Sequence, residues 1–118
     1  MKFEPLKGIK ILDLTSVVVG PVATWRLGQY GAEIIKVENP SGDLMRGLGG
    51  MSPTGQHSGA YLHLNRGKKN ICLDLKKESG KEIIQKFEGN NIYLKTIPGM
   101  GDIVTGTVKI DDIREVGI

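Results

Sequence analysis

Residues Ile9–Glu38, IKILDLTSVVVGPVATWRLGQYGAEIIKVE, decide the fold. Ile9-Lys10-Ile11-Leu12-Asp13-Leu14 follows Gly8 as a short apolar run with the length and composition of a buried strand. Thr15 to Pro21 then turns the chain. Pro21 suits the first position of a helix, where a missing N–H costs nothing, and Val22 to Tyr30 carries that helix to a stop at Gly31. Ala32-Glu33-Ile34-Ile35-Lys36-Val37-Glu38 is dominated by β-branched residues and ends at the turn-forming Asn39-Pro40-Ser41-Gly42-Asp43. Strand, helix and strand at this spacing make a βαβ unit. The expected fold class is therefore α/β, with a Rossmann-like parallel sheet and a right-handed crossover.

Working outward, residues 39–60 hold Gly47, Gly49, Gly50, Pro53, Gly55 and Gly59 without sustained periodicity, and are expected to form a long loop of the functional or mobile kind. Tyr61-Leu62-His63-Leu64 precedes a basic stretch, and Asn70-Ile71-Cys72-Leu73-Asp74-Leu75 reads as a third strand. Lys77 to Phe87 carries Ile83, Ile84 and Phe87 at helical spacing. Asn91 to Leu94 is the expected fourth strand, Asp102 to Val108 leans towards β structure, and Asp111 to Val116 suits a short helix. At 118 residues the chain fits one domain, residues 1–118.

Lys and Arg outnumber Asp and Glu by 16 to 13, and the resulting charge of +3 is too small and too evenly spread to mark a nucleic-acid surface. No aromatic residues interleave with the basic ones as base-stacking surfaces require. A small phosphorylated ligand suits the excess better. Cys72 is the single cysteine, so an internal disulfide or a Cys-rich zinc site is excluded and a cytoplasmic location is expected. Cys-x-x-Cys, His-Glu-x-x-His and EF-hand patterns are absent, and no metal site is expected. Met1 to Gly8 lacks the apolar core of a signal peptide, and no apolar run approaches the roughly 20 residues that span a bilayer.

The turn after the first strand leads into a helix, a place where phosphates and dinucleotides bind. Glu38, at the end of the second strand, imitates the acid that holds an NAD ribose. The loop itself, Val17-Val18-Val19-Gly20-Pro21, departs from Gly-x-Gly-x-x-Gly and argues against NAD. Arg66, Lys68, Lys69, Lys76 and Lys77 flank the third strand and could meet phosphates. Charges clustered at turns are more often a solvated face, and that reading is favoured. His57, His63, Ser52, Thr54 and Ser58 have no partner fixed by spacing that would make a catalytic set.

Pro5-Leu6-Lys7-Gly8-Ile9-Lys10-Ile11-Leu12-Asp13-Leu14-Thr15, Gly20-Pro21, Gly31-Ala32-Glu33-Ile34-Ile35-Lys36-Val37-Glu38, Ser41-Gly42-Asp43, Arg46-Gly47, Asn65-Arg66-Gly67-Lys68-Lys69 and Leu73-Asp74-Leu75-Lys76 together resemble the family III CoA-transferases. That family includes formyl-CoA and carnitine CoA-transferases and shares its fold with the alpha-methylacyl-CoA racemases. The resemblance covers about residues 5–87 and leaves 88–118 as a divergent tail. It implies a Rossmann-like segment of a larger interlocked fold, with coenzyme A or acyl-CoA as substrate and no permanently bound cofactor. CoA contacts are implied at Val17, Val18, Val19, Gly20, Asn39, Leu73, Lys76, Thr96 and Ile97, with Asp13 and Asp74 in structural strand positions. The family's nucleophilic Asp forms a mixed anhydride with the acyl group, and its position falls beyond Ile118, so no catalytic residue is expected in this chain. The expected protein is a fragment, a truncated product or one piece of a split enzyme, either self-associating or pairing with a chain that carries the rest of the fold. A non-catalytic nucleotide-binding or assembly module and a racemase-like fragment remain as alternatives.

Overall fold

The computed structural model describes residues 2–86 and the strands at 91–96 and 104–107. Strand β1 is Lys10–Leu14, helix α1 Val19–Gln29 and strand β2 Glu33–Glu38. Helix α2 (Gly59–Asn65), strand β3 (Lys69–Cys72), helix α3 (Glu78–Gln85) and strands β4 (Asn91–Thr96) and β5 (Val104–Thr107) follow. The strands form one sheet in the order β3-β2-β1-β4-β5. β1 pairs in parallel with both β2 and β4, β2 pairs in parallel with β3, and β5 is added antiparallel to β4. The order of the first four is that of a Rossmann sheet, and its direction of growth reverses between β1 and β4. The expected α/β parallel sheet is therefore present, with one antiparallel strand at the edge.

Side chains alternate across the sheet, so each strand supplies both of its faces. Leu12, Ile35 and Val37 pack with Leu73, Leu75 and Ile84 of α3 on one side. Ile11, Ile34 and Ala32 pack with Leu6, Ile9 and Leu27 of α1 on the other. Parallel strands covered on both faces have no solvated side, and every residue of β2 from Ile34 to Glu38 is buried.

Several boundaries differ from the sequence reading for physical reasons. α1 begins two residues before Pro21, which still lies in the first turn, where N–H groups have no helical acceptor. Gly31, at φ 98°, ends the connection in a conformation that a side chain would oppose. The glycine-rich stretch 39–60 is not a featureless loop. It contains a turn of 3-10 helix, Leu44–Gly47, capped by Asp43, whose carboxylate accepts from the Met45 amide at 2.9 Å. A bridge between Met51 and Ser58 closes its far end, and Ser58 caps α2 by accepting from the Tyr61 amide at 3.0 Å. β3 stops at Cys72, so Asp74 lies in a turn rather than on a strand; its carboxylate accepts from the Lys76 amide at 3.0 Å. Phe87 and Asp111–Val116 fall outside the described residues.

Gly80 lies where α3 crosses that turn, and a Cβ there would stand 2.2 Å from the Asp74 carbonyl oxygen. An exposed helical Gly→Ala change gains up to about 1 kcal/mol, but overpacking against backbone reverses the sign. Gly80→Ala is expected to lower the urea-unfolding free energy by about 2 kcal/mol.

Candidate functional site

The face of the sheet that carries Ile11 and Ile34 changes character along the same strands. Asp13 stands two residues beyond Ile11, and Lys36 and Glu38 stand beyond Ile34, all three buried. Asp13 and Lys36 are register partners across β1 and β2. The apolar amino end of this face thus gives way to an ionic carboxyl end.

Each buried charge there is provided for. The Asp13 carboxylate accepts from the Thr15 amide at 2.9 Å, the Thr15 hydroxyl, the Thr24 hydroxyl at 2.6 Å and the Lys68 ammonium at 2.9 Å. Lys68 also donates to the Pro21 carbonyl at 2.9 Å and to Asn65 Oδ1 at 2.8 Å. Burial pulls the Lys68 ammonium below its ordinary pKa, with Asp13 acting in the opposite direction. Lys36 donates to Asp43 Oδ2 at 2.8 Å and to the Thr15 carbonyl at 3.1 Å. Glu38 receives both forks of Arg46 at 2.8 Å, Asn70 at 2.6 Å, the Asp43 amide at 2.9 Å and the Tyr61 hydroxyl. Burial pushes the Glu38 carboxyl up, yet these hydrogen bonds, Arg46 foremost, outweigh it and hold the pKa at about 2. Tyr61 is shifted upward, first by burial and then by its bond to Glu38.

An open cleft of about 470 Å³ lies over this network, lined by Lys36, Arg46, His57, Tyr61, Arg66 and Lys68 among others. The Arg46 guanidinium stacks on the Tyr61 ring at 4.1 Å from its centroid, and Arg66 stacks on Trp25 at 3.7 Å. Arg66 has no carboxylate partner among the described residues. His57 Nδ1 is buried without a hydrogen-bond partner. Among the described residues no group of His, Cys, Asp and Glu could hold a metal ion, and no helix is long and apolar enough to cross a membrane.

The described residues singled out from sequence lie beside this network, along the carboxyl rim of the parallel strands. Val17 follows β1 with φ 69°, and its amide donates to Asp43 at 3.1 and 3.3 Å. Val18 and Val19 are exposed at 37% and 53%. Gly20 is buried so tightly that a Cβ would meet Thr15 Cβ at 2.3 Å. Asn39 is exposed just past β2, where it accepts from the Ser41 hydroxyl at 2.7 Å. Leu73 is buried in the core just past β3, and Lys76 is exposed in the following turn. Thr96 ends β4, and Ile97 lies outside the described residues. Of the basic segment, Lys68 is not the solvated charge expected of a turn. Its side chain is 2% exposed, whereas Lys69 is exposed and pairs with Glu33 at 2.8 Å. Glu38, the imitation of a ribose-binding acid, has its oxygens fully engaged. Sequence reasoning missed Lys36, Tyr61 and Lys68 as parts of one network; the usable signal was a pair of charges inside a strand that both faces of a parallel sheet must bury.

The family model of CoA-transferase family III matches residues 6–89. The chain belongs to CoA-transferase family III. It is 49% identical over 114 residues to human succinyl-CoA:glutarate CoA-transferase, covering 93% of this chain and 26% of that protein. It is 43% identical over 113 residues to formyl-CoA:oxalate CoA-transferase of Streptomyces avermitilis, covering 96% of this chain and 27% of the relative. A solved CaiB/BaiF family protein from Brucella suis superposes with TM-score 0.63 at 38% identity, over 70% of this chain and 23% of that one. This family III chain thus spans about a quarter of the length of the curated relatives it matches.

The depressed Glu38 pKa makes stability depend on acid with a definite sign. The unfolded carboxyl, with its ordinary value of 4.5, takes up its proton before the folded one at about 2. The stabilisation is complete above about pH 4.5 and is lost as pH falls towards 2, by on the order of 2–3 kcal/mol. Urea titrations between pH 6 and 2, a range set to bracket about 2 to 4.5, are expected to show a shallower fall for Glu38→Gln than for the unmodified chain. The variant starts lower, because Arg46 loses its partner.

Proposed function

We propose that this chain supplies the CoA-binding portion of a family III CoA-transferase, which moves CoA between carboxylic acids through an acyl-aspartyl anhydride. The observation that carries this reading is the position of Val17–Gly20. The loop leaves the carboxyl end of β1 beside β4, where the strand order reverses and where open α/β sheets bind ligands. Asn39, Leu73 and Lys76 leave the same rim from β2 and β3. Val17, Val18, Val19, Gly20, Asn39, Leu73, Lys76, Thr96 and Ile97 are the proposed contacts. Val18 and Val19 offer exposed apolar surface, and Lys76 an exposed cation for a phosphate. Names of relatives give the acyl partners of those relatives as glutarate with succinyl-CoA and oxalate with formyl-CoA, so the proposed substrate class is an acyl-CoA thioester with a small carboxylic acid acceptor.

A nucleophilic carboxylate must present a free oxygen to the thioester carbon. Asp13, Glu38 and Asp43 are buried with their oxygens bonded to several donors each, which leaves none of them fit for that role. The attacking aspartate is proposed to come from outside this chain because the family resemblance puts it beyond Ile118.

Calorimetry is expected to show CoA binding in preference to NAD, weakened about fivefold by Lys76→Ala, as befits roughly 1 kcal/mol for one exposed charge-assisted contact. Tighter NAD binding would reverse the assignment. Incubation of the chain alone with acyl-CoA thioesters, followed by hydroxylamine, is expected to leave no hydroxamate on any Asp or Glu by mass spectrometry. An adduct at one of them would make the chain a minimal enzyme.

A further inference from the structure

Val17 is the one non-glycine residue with positive φ among the described residues, and it is β-branched, the side-chain class that tolerates the left-handed region least. A turn needed only for chain reversal would carry glycine there. The backbone on both sides of the preceding residue is gripped by one buried ion pair. Lys36 holds the Thr15 carbonyl at 3.1 Å, and Asp43 holds the Val17 amide at 3.1 Å. The pair is joined at 2.8 Å, and each side chain is 1% exposed. Asp43 is itself fixed from two further directions, accepting from the Met45 amide at 2.9 Å and donating its own amide to Glu38 at 2.9 Å. Beyond this grip the chain runs through the exposed Val18 and Val19 into α1.

We propose that the Lys36–Asp43 pair is a positioning clamp that holds Val17 in its left-handed conformation and so sets the direction in which Val18 and Val19 face the acyl-CoA. The proposal rests on the acyl-CoA reading above. Neither residue touches the ligand; both act through the Thr15–Val17 backbone. When the acceptor for the Val17 amide is removed, Val17 relaxes into the extended region and turns the two following residues away from the rim. The cost of the strained conformation is then met by the ligand instead of by the fold, and affinity falls.

Two variants with the same change in charge separate this role from bulk stability. Lys36→Met with Asp43→Asn removes both charges and keeps a carbonyl oxygen to accept the Val17 amide. Lys36→Met with Asp43→Leu removes both charges and the acceptor. With folding of each followed by circular dichroism, calorimetry is expected to give a CoA dissociation constant about tenfold higher for the leucine pair than for the asparagine pair. Adding Val17→Gly to both is expected to shrink that gap to about twofold or less, because glycine enters the left-handed region without strain. Equal affinities for the two pairs, or a gap that persists undiminished once Val17→Gly is added to both, would overturn the clamp. The Cα and Cβ chemical shifts of Val17 in the unmodified chain need no substitution at all, and extended-region shifts there would overturn it outright. If the unmodified chain takes up no CoA, the acyl-CoA reading falls and the clamp's role in binding falls with it. If it binds CoA and the two pairs bind alike, the clamp alone is refuted.

Discussion

The Lys68 ammonium sits against Asp13 in an interior that would not tolerate either charge alone. A buried ion pair is no guarantee of net stability, because the desolvation of both ions offsets their attraction. Its force here is geometric. Lys68 has three N–H donors, and they go to the Asp13 carboxylate, the Pro21 carbonyl and Asn65 Oδ1. Those acceptors belong to the end of β1, the first turn of α1 and the last turn of α2. Displacing any of the three elements strands a charge or a buried polar atom, at a cost of several kcal/mol. One side chain thereby fixes how a strand and two helices meet.

The same logic extends across the sheet face. Asp13 and Lys36 stand opposite each other in register, yet each finds its close partner in a later part of the chain, Lys68 for one and Asp43 for the other. Glu38, two residues on, draws in Arg46, Tyr61 and Asn70. Unsatisfied strand charges thus recruit residues 43 to 70 to the carboxyl rim, which explains how a glycine-rich stretch with little apolar content acquires a defined path. Its order comes from hydrogen bonds to β2 more than from a core of its own.

The βαβ unit was legible because Ile9–Leu14 and Ala32–Glu38 are short, apolar and β-branched, and because Gly31 and the Asn39–Asp43 turn punctuate them. Nothing local marks α2, whose seven residues bury chiefly Tyr61 and Asn65 and owe their helix to the Ser58 cap and to contacts from β2. The strand at residues 70–75 was read too long because Leu73 and Leu75 are apolar for a different purpose; they leave the sheet to pack against Ile84. The candidate loop was legible as a position, between strand and helix, and its family likeness was carried by motifs spread over the chain. Its conformation was not, since the left-handed Val17 is imposed by Asp43, 26 residues away, and no local propensity would choose it.

Charge placement also fixes the use to which the buried carboxylates in and beside this sheet are put. Asp13, Glu38 and Asp43 accept hydrogen bonds from several groups each, and Glu38 is driven down to about 2 by that company. Such donors stabilise the anion in place, and every kcal/mol of that stabilisation is added to the barrier for converting it into a neutral ester or anhydride. A carboxylate built to attack requires the opposite surroundings, with a free lone pair and room for an incoming carbonyl. The buried acids of this sheet therefore act by holding backbone in place. What they leave exposed at the rim is Val18 and Val19, and in the proposed acyl-CoA site these would contribute shape and backbone direction rather than acid or base.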